Sequence, residues 1–300
     1  MPLYSICIAT YQRPEGLLDL LESIEAQQLT DDMSVEIIVV DNDPRSSETV
    51  VRDFGERSRF PVQYLTQPEQ NISLTRNVAV AAASGEFIWF VDDDETAIPE
   101  CLARLSAALH EFDAAGVFGP VIPVFETEQP EWVEKSSVFN RPIGVTGGKA
   151  HGYRTSNTLV RTDALALVEG PFDADFGISG GSDSMLFREL AAKGLRFIDS
   201  GDAFVSEVVP SNRATWSWMR TRFRRQGQNY ARQTVMLNGG VWTKPVMWML
   251  CKALVQIPLT LAGIAISWPN RYRRSEWQLR MWSNIGKFEG VRGTTSVRAH

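Results

Sequence analysis

Apolar residues fall in short bursts through the first hundred positions, and the spacing inside each burst selects its element. Leu3 to Ala9 is apolar and β-rich, as in a buried strand. Leu17, Leu18, Leu21 and Ile24 then recur at helical intervals, predicting a helix over 14–28. Val35 to Val40 repeats the strand pattern and ends at Asp41. A polar helix over about 46–57, a strand over 62–66, a helix over 73–83 and a strand over 87–91 follow. A helix over 99–112 turns Leu102, Leu105 and Leu109 inward. Strict alternation with short connections predicts right-handed βαβ units and a doubly wound, mainly parallel α/β sheet.

The pattern loosens after residue 112. Val117 to Phe125 is apolar, 126–149 reads as a loop exposing Trp132, 154–160 as a strand and 182–193 as a helix. A basic aromatic helix is expected over 215–233. Residues 246–268 are the most apolar stretch, long enough to cross a bilayer but interrupted by Lys252, Gln256 and Pro258. Flanking tryptophans and arginines fit an interfacial helical hairpin; a buried helix pair and a true span are the alternatives. The expected domains are residues 1–210 and a Trp-rich helical extension over 211–300.

Charge sharpens that division. The net charge is −6, yet residues 208–300 carry +13 and residues 1–207 carry −19. A basic third of this kind suits an anionic membrane surface or phosphorylated substrate. No nucleic-acid motif accompanies it, so no nucleic-acid partner is expected. Three widely spaced cysteines exclude a disulfide framework and imply a reducing compartment. The N-terminus lacks a basic n-region, so no signal peptide is expected.

Candidate chemistry gathers where the predicted strands end. Asp92, Asp93, Asp94 and Glu95 close the fourth strand, at the edge where open α/β sheets bind ligands. Crowded carboxylates suit Mg²⁺ or Mn²⁺; a solvated turn is the other reading. After the first strand, Thr10 is placed to cap the next helix and Arg13 to reach a phosphate. Asp41, after the second, is a candidate for a ribose or base, or a plain turn residue. Residues 71–77 open the helix before the acidic strand, with Ser73 as its expected cap and Arg76 and Asn77 one turn on.

Thr-Tyr-Gln-Arg-Pro at 10–14, Val-Val-Asp-Asn at 39–42, Asn-x-x-x-x-Arg-Asn at 71–77 and Asp-Asp-Asp at 92–94 together resemble the family 2 glycosyltransferases, inverting enzymes with a GT-A fold. The resemblance implies donor contacts from Thr10, Arg13, Asp41, Asn71, Arg76 and Asp92. It implies a divalent cation on Asp94 and Asp92, with Glu207 as a third ligand. Gly180-Gly181-Ser182-Asp183, followed by Arg188, resembles the acceptor-side motif and makes Asp183 the implied catalytic base; Ser182 replaces the usual Glu. Asn157, Ser182 and Arg188 are the implied acceptor contacts. Residues 207–227 resemble the succinoglycan-type subgroup of exopolysaccharide assembly. That subgroup implies transfer of one sugar, from a nucleotide sugar such as a UDP-sugar to a glycan on a polyprenyl diphosphate, at the inner face of the cell membrane. A nucleotidyltransferase would need a Gly-rich basic triphosphate loop, which residues 8–16 lack; a non-catalytic nucleotide-sugar-binding adaptor would need no base. A Rossmann dehydrogenase is disfavoured by the absence of Gly-x-Gly-x-x-Gly after the first strand.

Overall fold

A computed structural model describes residues 1–43 and 46–297, with side chains through residue 293. In chain order the elements are β1 (Leu3–Thr10), α1 (Pro14–Glu25), β2 (Ser34–Asp41), α2 (Glu48–Gly55), β3 (Val62–Thr66), α3 (Ile72–Ala82), β4 (Phe87–Asp92) and β5 (Glu95–Ala97). Next come α4 (Cys101–Glu111), β6 (Gly116–Phe118), β7 (Val121–Phe125), α5 (Glu131–Glu134), β8 (Thr158–Arg161) and α6 (Thr162–Leu165). A 3₁₀ turn at Ala174–Phe176 precedes α7 (Ser182–Ala192), β9 (Phe197–Asp199), β10 (Val205–Val209), α8 (Trp216–Leu237), α9 (Lys244–Ile266) and α10 (Arg271–Val297).

The seven-stranded main sheet has the order β3-β2-β1-β4-β8-β6-β9. β1, β2, β3 and β4 are parallel, β8 runs antiparallel to both its neighbours, and β9 is parallel to β6. Alternation along the strands fills both faces. Ile6, Ile8, Ile37, Val39 and Trp89 pack with Leu17 and Leu21 of α1, Phe54 of α2 and Leu105 of α4. Cys7, Ile38, Val40, Ile88 and Phe90 pack with Ala79 of α3 and Leu186, Phe187 and Leu190 of α7. This is the doubly wound, mainly parallel sheet expected from the sequence, followed by a helical C-terminal region.

The chain forms two compact units. One comprises residues 1–122 and 142–208, the other 123–141 and 209–300. In the second, Val133, Val138 and Phe139 join Val209, Met219 and Leu279 in a single apolar cluster. Trp132 packs against that cluster instead of standing in solvent, and Arg271 lies over its ring at 4.5 Å.

Two local outcomes differ from the sequence reading. The strand expected at 154–160 begins only at Thr158, because Asn157 takes a left-handed φ of +45°. Residues 246–268 do not fold back on themselves: α9 runs unbroken through Pro258, and the hairpin is formed with α10, which the sequence reading left unassigned. An exposed proline removes one backbone bond without forcing a reversal when flanking residues keep helical torsions.

Candidate active site

Parallel register sets the site. Thr10 of β1 lies opposite Asp41 of β2, and Ala9 lies opposite Asp92 of β4, so the C-terminal ends of three strands share one edge. The chain turns tightly at Asp93 and Asp94 and re-enters as β5, where Glu95 stands directly across from Glu207 of β10. Gly16 leans on this turn; a Cβ there would come within 2.8 Å of the Asp93 carbonyl. The helix start is therefore held close to the acids by the missing side chain.

The four acids do different work. Asp93 accepts from Thr10 Oγ1 at 2.9 Å, Tyr11 N at 3.4 Å and Arg13 at 3.0 Å. Asp94 accepts from the same Arg13 at 2.7 Å. Asp92 accepts from Arg76 at 3.0 Å, and the Arg76 guanidinium lies 5.8 Å from the centre of the Phe172 ring. Glu95 is buried; its Oε2 accepts from the Asp92 amide at 2.9 Å, while its Oε1 has no partner among the described residues.

Their electrostatics show what the arrangement lacks. Desolvation raises the Asp92 pKa, with Asp94 and Asp183 adding repulsion and Arg76 opposing them. Its side chain is 36% exposed, so this is a recessed carboxylate that still meets solvent. Burial raises Asp93 against the pull of Arg13 and Thr10. Burial again, then Asp92, Glu207 and Asp94, hold Glu95 well above the usual carboxylate range. Desolvation works against the Arg13 cation, yet Asp93 and Asp94 leave its pKa raised. Such a cluster gains from added positive charge.

Asp183 reaches this cluster from another element. Asn77 Nδ2 donates to the Phe172 carbonyl at 2.8 Å, and Asn77 Oδ1 accepts from Phe172 N at 2.9 Å. Asn71 Nδ2 donates to the Ala174 carbonyl at 3.0 Å, and Gly177 packs so tightly on Asn71 that no Cβ would fit. The loop leading to α7 is thus stapled along α3. Gly180 and Gly181 then take φ values of +77° and +100°, which suit glycine, and deliver Asp183 into the first turn of α7. Its field at Asp92 places the two carboxylates in one electrostatic neighbourhood.

Several of the other expected contact residues are engaged within the protein. Asp41 is fully buried and accepts from Asp43 N, Ser46 Oγ, Ser47 N and Tyr64 OH. Asn71, and not Ser73, caps α3, its Oδ1 accepting from Ser73 N and Leu74 N. Thr10 does not cap α1; its hydroxyl is spent on Asp93. Asn157 is 0% exposed and bonded to Trp89, Pro120 and Ala203, and Ser182 is buried. Arg188 lies half-buried on α7, and Glu207 joins the acids across β5. The sequence reading missed the anchoring roles of Asn71 and Asn77; the signal available was two carboxamides six residues apart flanking Arg76.

Among the described residues no three His, Cys, Asp or Glu side chains converge as a ready coordination shell. The donor set nevertheless fits a hard divalent cation: oxygen ligands only, mutually repelling, with a buried carboxylate oxygen lacking a partner. Mg²⁺-type ions commonly use one or two protein carboxylates and complete their shell with water and substrate phosphates.

The family model described as Glycosyl transferase family 2 matches residues 5–168. The chain belongs to this family. It is a glycosyltransferase, which decides against the nucleotidyltransferase and adaptor readings. This family 2 enzyme is 30% identical over 98% of its length to the succinoglycan biosynthesis protein ExoM of Rhizobium meliloti, covering 94% of that protein. It is 24% identical to the glucosyl-dolichyl phosphate glucuronosyltransferase of Haloferax volcanii, over 77% of this chain and 76% of that one. Its fold matches the mannosyltransferase PcManGT of Pyrobaculum calidifontis, solved with GDP-Man and Mn²⁺, at TM-score 0.66 and 18% identity, covering 96% and 87% of the two chains. Residues 1–349 of Staphylococcus aureus TarS, solved with UDP, align at TM-score 0.52 and 16% identity, covering 97% of this chain and 91% of that one. The GT-A architecture expected from the sequence is thereby shown.

Proposed function

We propose that this glycosyltransferase moves one sugar from a nucleotide sugar, a UDP-sugar in the first instance, to an acceptor hydroxyl with inversion at the anomeric carbon. The acceptor is a growing surface glycan or exopolysaccharide unit on a polyprenyl diphosphate, and the enzyme works as a peripheral protein at the inner face of the membrane. The relative in succinoglycan biosynthesis supports the glycan, the UDP-bound neighbour supports the donor, and the basic extension supports the setting.

The observation that carries the reading is the acidic strand end itself, with Arg76 bonded to Asp92 and Arg13 bonded to both Asp93 and Asp94. Arg13 and Arg76 lie where a diphosphate can be held and its growing negative charge offset as the leaving group departs. Asp92 and Asp94, with Glu207 in support, would hold the divalent cation, Mn²⁺ or Mg²⁺, which when bound supplies further neutralisation of that diphosphate. Asp183 accepts the acceptor hydroxyl proton as the new C–O bond forms; the bond from the anomeric carbon to the diphosphate oxygen breaks, its electron pair leaving with the nucleoside diphosphate. Arg188, five residues along α7, is assigned to the acceptor side.

The deciding experiment is a panel of nucleotide sugars with Mn²⁺ or Mg²⁺, scored by calorimetric binding and nucleoside diphosphate release, on wild type and Asp183→Asn. Retained donor binding with transfer lowered about 10²–10⁴-fold is expected for the variant. Undiminished transfer would remove Asp183 from the mechanism.

A further inference from the structure

The second compact unit contains a helix whose faces are reversed for a water-soluble protein. The stripe of α9 turned inward is Val246, Met249, Ala253, Thr260 and Gly263, small or polar over its second half. The outward face holds the larger apolar groups: Trp248, Leu254 (63% exposed), Val255, Leu259 (58%), Leu261 and Ile266 (82%). Ordinary amphipathic helices bury the greasier side, and a continuous exposed patch of this size marks an interaction surface.

Charge identifies what covers it. No Asp or Glu occurs between residues 208 and 275. Lys244, Lys252, Arg271 and Arg273 are exposed on α9 or at the start of α10. Lys252 Nζ lies 4.9 Å from the Trp248 ring centre, and Arg274 lies 4.8 Å from that of Trp268. Tryptophans paired with bases around an apolar face match the headgroup layer of an anionic bilayer. The unit's two acids in the described C-terminal helices are already engaged, Glu276 by Ser136 and Ser137, Glu289 by Arg224 and Gln228.

Packing also decides the orientation. α10 returns alongside α9: Trp277 meets Gly263, where a Cβ would come within 2.4 Å of the indole, and Val291 clusters with Val246 and Met249. If α9 crossed a bilayer, α10 would carry Glu276, Arg280, Lys287 and Glu289 into hydrocarbon, where ionised side chains are strongly disfavoured.

We infer that the outward face of α9 is a docking surface for an anionic lipid bilayer, with the helix lying in the membrane plane. It rests on the membrane setting of the proposed function and deepens it, but needs nothing from the transfer chemistry.

Cys251 supplies the probe, since it is exposed on the centre of this face while Cys7 and Cys101 are buried. The full-length protein, labelled there with an environment-sensitive fluorophore, is mixed with phosphatidylglycerol/phosphatidylethanolamine vesicles or with phosphatidylcholine vesicles, at low and high salt. Expected are a blue shift and co-sedimentation with the anionic vesicles, weakened by salt. Leu254→Gln/Leu259→Gln/Ile266→Gln should lower partitioning roughly 100-fold at unchanged thermal stability. Lys244→Glu/Arg273→Glu should remove the preference for anionic lipid. Three results overturn the proposal: no binding by wild type, binding unaffected by the triple substitution, or a lipid-free oligomer that the triple substitution dissolves. Carbonate-resistant retention in native membranes would show a span and overturn it equally. Vesicle binding without turnover of any nucleotide sugar leaves the docking surface standing and removes the proposed function.

Discussion

Asn77 and Phe172, 95 positions apart, exchange a reciprocal pair of hydrogen bonds, the carboxamide both donating to and accepting from one backbone unit. That pair fastens the loop before α7 to the helix that carries Arg76. Asn77→Ala strips both bonds and leaves a backbone amide and carbonyl to find other partners, at about 1–3 kcal/mol. The expected result is a lower Tm and a fall in kcat larger than any rise in KM, since the loop delivers Asp183. Thermal denaturation and steady-state transfer kinetics check it; unchanged values for both would show the pair to be ornamental.

The acid cluster predicts a cation response that can be seen without turnover. Mn²⁺ at 100 times its Kd stabilises the folded state by about 2.7 kcal/mol, a Tm rise of several degrees for a chain of this size. Asp94→Asn and Asp92→Asn should each abolish most of the shift, with nucleoside diphosphate present or absent. Differential scanning fluorimetry against a Mn²⁺ series reads this directly; a full shift in both variants would place the cation elsewhere.

Glu95 gives the pH dependence. Its folded-state pKa lies well above the ordinary 4.5, first through burial and then through Asp92, Glu207 and Asp94. A carboxyl raised on folding favours the native state fully below its unfolded pKa, and that contribution disappears as pH climbs through the folded value. In EDTA the wild type should therefore lose stability from about pH 4.5 upward relative to Glu95→Gln. The variant keeps an acceptor for the Asp92 amide and replaces the titratable carboxyl with a neutral amide. Parallel melting curves for the two proteins from pH 4.5 to 8 would refute it.

Gly181, at φ +100°, begins α7 in a conformation that costs other residues roughly 1 kcal/mol or more. Gly181→Ala should leave nucleotide affinity close to wild type while lowering transfer several-fold, because only the Asp183 end is displaced. Calorimetry against the nucleotide and a transfer assay separate the two effects; equal losses in both would mean that the whole edge had moved.

Much of this was legible beforehand, for identifiable reasons. The parallel strands announce themselves as apolar runs ending in Asp41 and Asp92, and register then aligns those ends without further information. Which polar groups would stay available was not legible. Asp41 and Asn157 look like ligands in one dimension, yet tertiary neighbours a few to dozens of positions away consume their capacity. The short strands β5, β9 and β10 also escaped notice, because three to five residues give too few alternations to read. Helix α10 was hidden for a different reason: its arginines, glutamates and tryptophans show no clean stripe, since it packs against α8, α9 and α5 at once.

Asn157 joins two blocks of sheet that run in register with each other only through the reversed strand β8. Its one amide bridges the carbonyls of Pro120 and Ala203 while accepting from the Trp89 indole, and Gly119 is bare so that it can approach. Chimeras that graft the far block from a relative onto this donor half must therefore inherit that asparagine, its left-handed backbone and the facing glycine together. A crossover that splits the trio leaves a seam with orphaned carbonyls under both halves.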